Sequence, residues 1–380
     1  MAAVKPRIDR ASSRQFFPKA ILLRLPLLAL AMISLLAALW AGLIRLGWGW
    51  PFWTAALPAA HGPLMIGGFL GTLISLERAV ALGRRWAYLG PALTALGGVL
   101  GFAGAPGWLA ALAITGGSVV LLAALLTIWR IHPTFFAGVI MAGAAVWVVG
   151  NGLWLAGRPV ALITPWWMGF LILTIAGERL ELSRLLRLPS AANLAFVSCL
   201  VIYCAGLLVS LADFGLGVQV TGLGMLGLAL WLLRYDIAWR RLKAGGQARF
   251  IAISLLSGYG WLGVGGLLAL VYGGVTAGPF YDALLHAILL GFVFTMIFAH
   301  APIIFPAVLQ LPVVYAPQFY GHLAVLHLSL ALRVYGDVAL WMPGRQWGGL
   351  FNAIALLLFL LNTLLAVRLG IAQRAVSGNK

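Results

Sequence analysis

From Ile21 almost to the C-terminus, apolar runs of about twenty residues alternate with short charged or Gly/Pro-rich segments. Runs of that length with few internal charges match helices crossing a hydrocarbon layer of about 30 Å, whereas barrel strands need only about ten residues and alternate in polarity. The pattern predicts an all-α polytopic membrane protein with about twelve spans, at 21–45, 57–80, 87–104, 107–129, 134–156, 160–178, 192–211, 216–233, 250–272, 281–304, 317–335 and 347–369. A basic tail over 1–19 precedes one helical membrane domain over 20–372, and a short tail follows over 373–380. The run from Ile21 to Leu46 is too long for a signal-peptide core and lacks a cleavage site, so it reads as an uncleaved first span.

The basic residues give this pattern a direction. If the N-terminal tail is cytoplasmic and the spans alternate, Arg45, Arg158, Arg333 and Arg345 fall outside, and the other 21 of the 25 Lys and Arg fall inside. That asymmetry predicts an N-in/C-in protein of the inner (plasma) membrane. Composition agrees: 63% of residues are hydrophobic, 9% are charged, and the mean hydropathy is +1.04. A soluble fold is excluded. The net charge of +17 clusters in short connections, which suits an anionic inner leaflet as partner and argues against nucleic acid. Cys199 and Cys204 lie inside one apolar run and read as small core residues.

A weak internal repeat runs through three spans. Gly68-Phe69-Leu70 followed by Glu77-Arg78 recurs 101 residues later as Gly169-Phe170-Leu171 followed by Glu178-Arg179, and Gly291-Phe292 followed by His300 forms a third copy. These fall on spans two, six and ten, which predicts three four-helix units around a pseudo-threefold axis.

Histidines carry the candidate chemistry, because an intramembrane histidine is costly unless something uses it. His61 opens span two, with Met65 one turn on and glycines around it; His286 lies in span ten at similar depth. Two neutral imidazoles on facing helices are able to ligate a haem iron axially, with Gly68 and Gly291 leaving room for the ring. The plainer alternative is that each histidine makes an interhelical hydrogen bond. His300 lies about 21 Å further along span ten than His286, too far to share a metal with it. Glu77 and Glu178 are expected at its depth, forming a secondary polar site or simple Glu–Arg pairs at the headgroup boundary. His327 in span eleven is a further candidate, beside His300 in the secondary polar site or at a cofactor edge or gas pocket, against a plain structural role, and His322 is too poorly spaced to join it. Trp48, Trp50, Trp53, Trp166 and Trp167 read first as an aromatic belt, and Pro302, Pro306 and Pro312 read as breaks after span ten. No Ser/His/Asp set, CxxC or HExxH is present.

His61-Gly62-x-x-Met65 resembles the low-spin-haem ligand motif of haem–copper oxidase subunit I, and His286 with Gly291-Phe292 is similar to that family's second ligand region. The stretch from Gly291 to Pro302, with the histidine-bearing second span, more closely resembles the NnrS-like family. That resemblance implies a bacterial inner-membrane protein with haem b held by His61 and His286, a link to respiratory chains, and a response to nitric oxide or another small gas. Span six has Pro165-Trp166-Trp167 and no histidine, and Leu284 stands two residues before His286, where an oxidase has a further ligand. The copper and high-spin-haem ligands of an oxidase are therefore missing, so neither copper binding nor oxygen reduction is expected. The alternatives are a proton-coupled permease-like protein using the intramembrane His and Glu residues, or a cofactor-free assembly partner of a respiratory complex.

Overall fold

A computed structural model describes residues 19–186 and 188–377. All but Lys19 of the basic tail lies outside these residues. The described chain is helical throughout, with no strand. Twelve long helices follow in order: α1 (Lys19–Arg45), α2 (Pro58–Leu82), α3 (Leu89–Phe102), α4 (Gly107–Ile131), α5 (Phe135–Leu155) and α6 (Val160–Ser183). After them come α7 (Ser190–Val209), α8 (Phe214–Tyr235), α9 (Gly246–Tyr272), α10 (Gly278–Pro306, helical on to Leu309), α11 (Phe319–Val338) and α12 (Met342–Ser377).

Each expected span is thus a helix. Ten of them are long and apolar enough to cross a membrane. The other two are α3, with 14 residues against the roughly 20 a perpendicular crossing needs, and α11, which carries two histidines, Arg333 and Asp337. Pro302 and Pro306 do not break the chain as expected. The helix runs through both and ends at Gln310, whose φ of 56° closes it. A proline removes one intrahelical hydrogen bond, and packing on neighbouring helices offsets the loss.

Large apolar side chains point outward as well as inward: Leu194 is 67% exposed and Leu328 73%. A surface of this kind fits lipid, where an outward leucine has no cost. Neighbours in sequence pack as neighbours in space, as short connections require: α3 on α4, α4 on α5, α5 on α6, α7 on α8, α8 on α9 and α11 on α12. The interior belongs to three helices. α2, α6 and α10 are 67%, 78% and 67% buried over their apolar windows, and no other spanning helix exceeds 56%.

These are the three helices that carry the repeat, and the repeat's glycines explain the arrangement. A Cβ at Gly68 would lie 2.8 Å from Ser34 Oγ on α1 and 3.0 Å from Gly98 Cα on α3. At Gly169 it would press on Val146 of α5 and Tyr203 of α7, and at Gly291 on Trp261 of α9. Each glycine therefore lets outer helices close on an inner one. Gly68 and Gly291 were expected to make room for a cofactor, and they do not: their missing side chains are filled by neighbouring helices. Trp166 and Trp167 are also buried rather than interfacial, with Trp167 donating to Asn151 Oδ1 at 2.8 Å. Trp53 is half exposed, at 51%.

A buried ion pair ties α6 to the end of α8. Arg179 on α6 donates from Nε and Nη2 to the two oxygens of Asp236, both at 2.9 Å, and Asp236 also accepts from the Ala238 amide.

Candidate functional site

The two expected ligand histidines meet. The rings of His61 and His286 have centroids 6.2 Å apart, with planes inclined by 29°. They line one cleft with Met65, Leu289, Phe294 and Arg333, where α1, α2, α10, α11 and α12 come together.

The backbone around both is unusual in the same way. His61–Pro63 is a single α turn followed by a π-helical segment, Leu64–Gly71. His286 ends the first segment of α10, Gly278–His286, and a π-helical segment of the same length follows, Ala287–Phe294. In a π segment the ladder widens from i→i+4 to i→i+5, which turns the following side chains and frees carbonyls; such segments cluster at functional sites. Threonines take up the slack at both ends: Thr72 Oγ1 donates to the Gly68 carbonyl at 2.7 Å and Thr295 Oγ1 to the Leu290 carbonyl at 3.5 Å. Eight residues after each histidine the two helices meet again, with Phe69 and Phe294 stacked at 5.9 Å.

Each histidine is held through its inner nitrogen. His61 Nδ1 lies 2.7 Å from the Ala38 carbonyl, and His286 Nδ1 lies 2.8 Å from the Asp282 carbonyl and 3.3 Å from Asp282 Oδ1. A carbonyl only accepts, so in the neutral ring Nδ1 carries the proton and Nε2 keeps a free lone pair. This is the arrangement that orients a metal-ligating imidazole. Asp282 is in turn fixed by Arg333, which donates from Nε and Nη2 at 2.7 and 2.9 Å, with Arg345 3.8 Å away and paired to Asp337. Gly42 on α1 forms the floor under His61: a Cβ there would stand 2.9 Å from its Cε1 and 3.0 Å from its Nδ1.

Two imidazoles that face one ion from opposite sides, with nitrogen–metal distances of about 2.0–2.1 Å and ring centres about 1.1 Å behind the nitrogens, would have centroids about 6.3 Å apart. Among the described residues no group of three or more His, Cys, Asp or Glu side chains is arranged to hold a metal.

The remaining candidates separate. Glu77, Glu178 and His300 do come together, lining a second, larger cleft beyond the Phe69–Phe294 stack. The expected Glu–Arg pairing is present, centred on one arginine. Arg78 bridges across helices to Glu178 and stands 3.9 Å from Glu77, while Arg179 turns away to Asp236. His327 belongs to neither cleft. Its Nδ1 accepts from Trp261 Nε1 at 2.9 Å, which corrects its place beside His300. His322 is packed among Phe250, Phe298, Phe319 and Phe359, with Asn362 at its Nδ1. Sequence reasoning overlooked Asp282, Gly42 and the pairing role of Arg333. Asp282, a carboxylate four residues before His286 in an apolar helix, was the available signal.

A family model described as a domain of unknown function (DUF8744) matches residues 24–368. The chain belongs to that family. The match takes in both clefts and every helix that lines them. No curated protein matches the chain.

Proposed function

We propose that this DUF8744 protein is an NnrS-like membrane haem protein, in which His61 and His286 would hold a haem b, serving electron transfer or a nitric-oxide response. The observation that carries the reading is the 6.2 Å spacing of two rings whose Nδ1 atoms are both held by carbonyls, leaving both Nε2 atoms free. When bound there, haem supplies one-electron redox chemistry.

The chain's own residues do the rest. The Ala38 and Asp282 carbonyls fix tautomer and ring orientation, the Asp282 carboxylate makes His286 a stronger donor, and Arg333 keeps that carboxylate in place. Met65, Leu289 and Phe294 keep water from the rings. If both imidazoles held the iron, neither His61 nor His286 would leave a position open to a gas, which suits sensing or electron transfer better than turnover.

The same reading takes all twelve helices as spans in three four-helix units, N-in/C-in, in a bacterial inner membrane. Its support is the burial of the three repeat-bearing helices and the shared role of their glycines. A reduced-minus-oxidised spectrum of the purified protein, expressed with haem precursor supplied, tests the centre. A b-type signal is expected, and His61→Ala and His286→Ala should each abolish it. Absence of any signal sinks the proposal, and a variant that leaves the signal unchanged removes that residue from the ligand set. The permease-like alternative draws on the Glu77/Glu178/His300 cleft, and proteoliposome flux that depends on Glu77 or Glu178 would favour it.

A further inference from the structure

The larger cleft is unlike the histidine cleft in size and in chemistry. It holds about 140 Å³ between α1, α2, α6, α10 and α12, more than a small gas needs and enough for a benzene-sized body. Its walls are apolar, with Phe69, Phe305 and Phe359 among them. Four polar side chains face it: Glu77, Glu178, His300 and Thr174.

All four are placed to accept hydrogen bonds. Glu77 and Glu178 keep 30% and 29% of their side-chain surface accessible. The Nδ1 of His300 is committed to the Met296 carbonyl at 2.7 Å, so in the neutral ring its Nε2 is an acceptor. Thr174 Oγ1 is buried, in a residue only 4% exposed, and has no partner. An unpartnered hydroxyl beside an apolar cavity is costly unless an occupant bonds it.

The charges point the same way. Two carboxylates face the cleft, and one guanidinium, Arg78, lies between them and is paired with Glu178. The next charges offer Glu77 nothing: Arg179 and Asp236 satisfy each other, and Arg24 gives its donors to the Val308 carbonyl at 2.7 Å and the Tyr88 hydroxyl at 3.3 Å. One arginine shared by two carboxylates leaves a net negative charge, which would repel an anionic lipid headgroup. A cation with N–H donors meets what the cleft lacks.

We infer that this cleft binds a lipophilic ammonium, a protonated amine on an apolar body, with the ammonium on Glu77, Thr174 and His300 and the body between the phenylalanines. The site stands apart from the histidine pair and does not rest on it.

Calorimetry on the full chain in detergent tests this with four probes of matched body: 4-phenylbutylamine, its trimethylammonium analogue, 4-phenylbutanol and 4-phenylbutyrate. The amine should bind; the trimethylammonium, which has charge but no N–H, should bind more weakly; the alcohol and the acid should not bind. Glu77→Gln, which leaves the Arg78–Glu178 pair in place, should weaken the amine by at least about tenfold. Thr174→Val, which changes no charge, should weaken it by a few-fold, on the scale of one lost hydrogen bond. His61→Ala should leave amine binding unchanged whatever it does to a haem spectrum. Alcohol or acid binding as tight as the amine overturns the inference, as does an amine affinity that neither Glu77→Gln nor Thr174→Val alters.

Discussion

Gly42→Ala separates a metal-holding histidine from a merely packed one. The added methyl would stand 2.9 Å from His61 Cε1 and 3.0 Å from Nδ1, where ordinary contact begins at 3.4 Å. The ring must therefore retreat by about 0.5 Å, beyond the roughly 0.2 Å tolerance of a metal–nitrogen bond. It has little freedom to do so, because Nδ1 is tied to the Ala38 carbonyl on the same α1 helix. Displaced supporting groups at metal sites typically cost about 10–100-fold in affinity. The helix itself should not suffer, since alanine is favoured over glycine in a helix interior by about 1 kcal/mol. Haem content and the difference spectrum should fall while the melting temperature of the haem-free protein holds or rises. A folded Gly42→Ala protein with full haem content and an unshifted spectrum would refute the reasoning, because His61 would then tolerate a move that no ligand of a fixed iron tolerates.

Other expectations concern the supports of the fold and the site. Asp282→Asn keeps the backbone acceptor for His286 but removes the carboxylate beside it, so redox titration should show a raised midpoint potential, and an unchanged one would remove Asp282 from the centre. Arg179→Met leaves Asp236 buried and uncompensated, which should cost about 3–5 kcal/mol in unfolding experiments, with Arg179→Met/Asp236→Leu recovering much of the loss. Gly291→Ala drives a methyl into Trp261 and should lower thermal stability at unchanged spectral position; a spectral shift without loss of stability would return this glycine to the cofactor's side.

Ten of the helices were legible because lipid sets a simple requirement: every span must be apolar and about as long as the hydrocarbon is thick. The twelve expected segments and the twelve observed helices differ mainly at their ends, most at the last, where α12 reaches Ser377. The histidine pair was legible as well, since isolated polar residues stand out in apolar runs, and so was the grouping of Glu77, Glu178 and His300 from their shared depth. Depth, however, does not fix direction. Arg179 stands next to Glu178 in the chain but faces Asp236, because neighbours on a helix point about 100° apart. The same rotation sends His327 to Trp261.

The stretch around His61 shows the division most plainly. By itself the sequence determined that a histidine stands in a glycine-rich apolar helix, with a second one far along the chain. The tertiary structure decided that the two rings lie 6.2 Å apart, that carbonyls hold both Nδ1 atoms, and that Gly68 serves helix packing while Gly42, on another helix, forms the floor beneath His61. Apolar periodicity records where a helix runs but carries no record of which face meets which neighbour. Here that facing also depends on two π segments, each of which changes the angular step between a histidine and the residues after it.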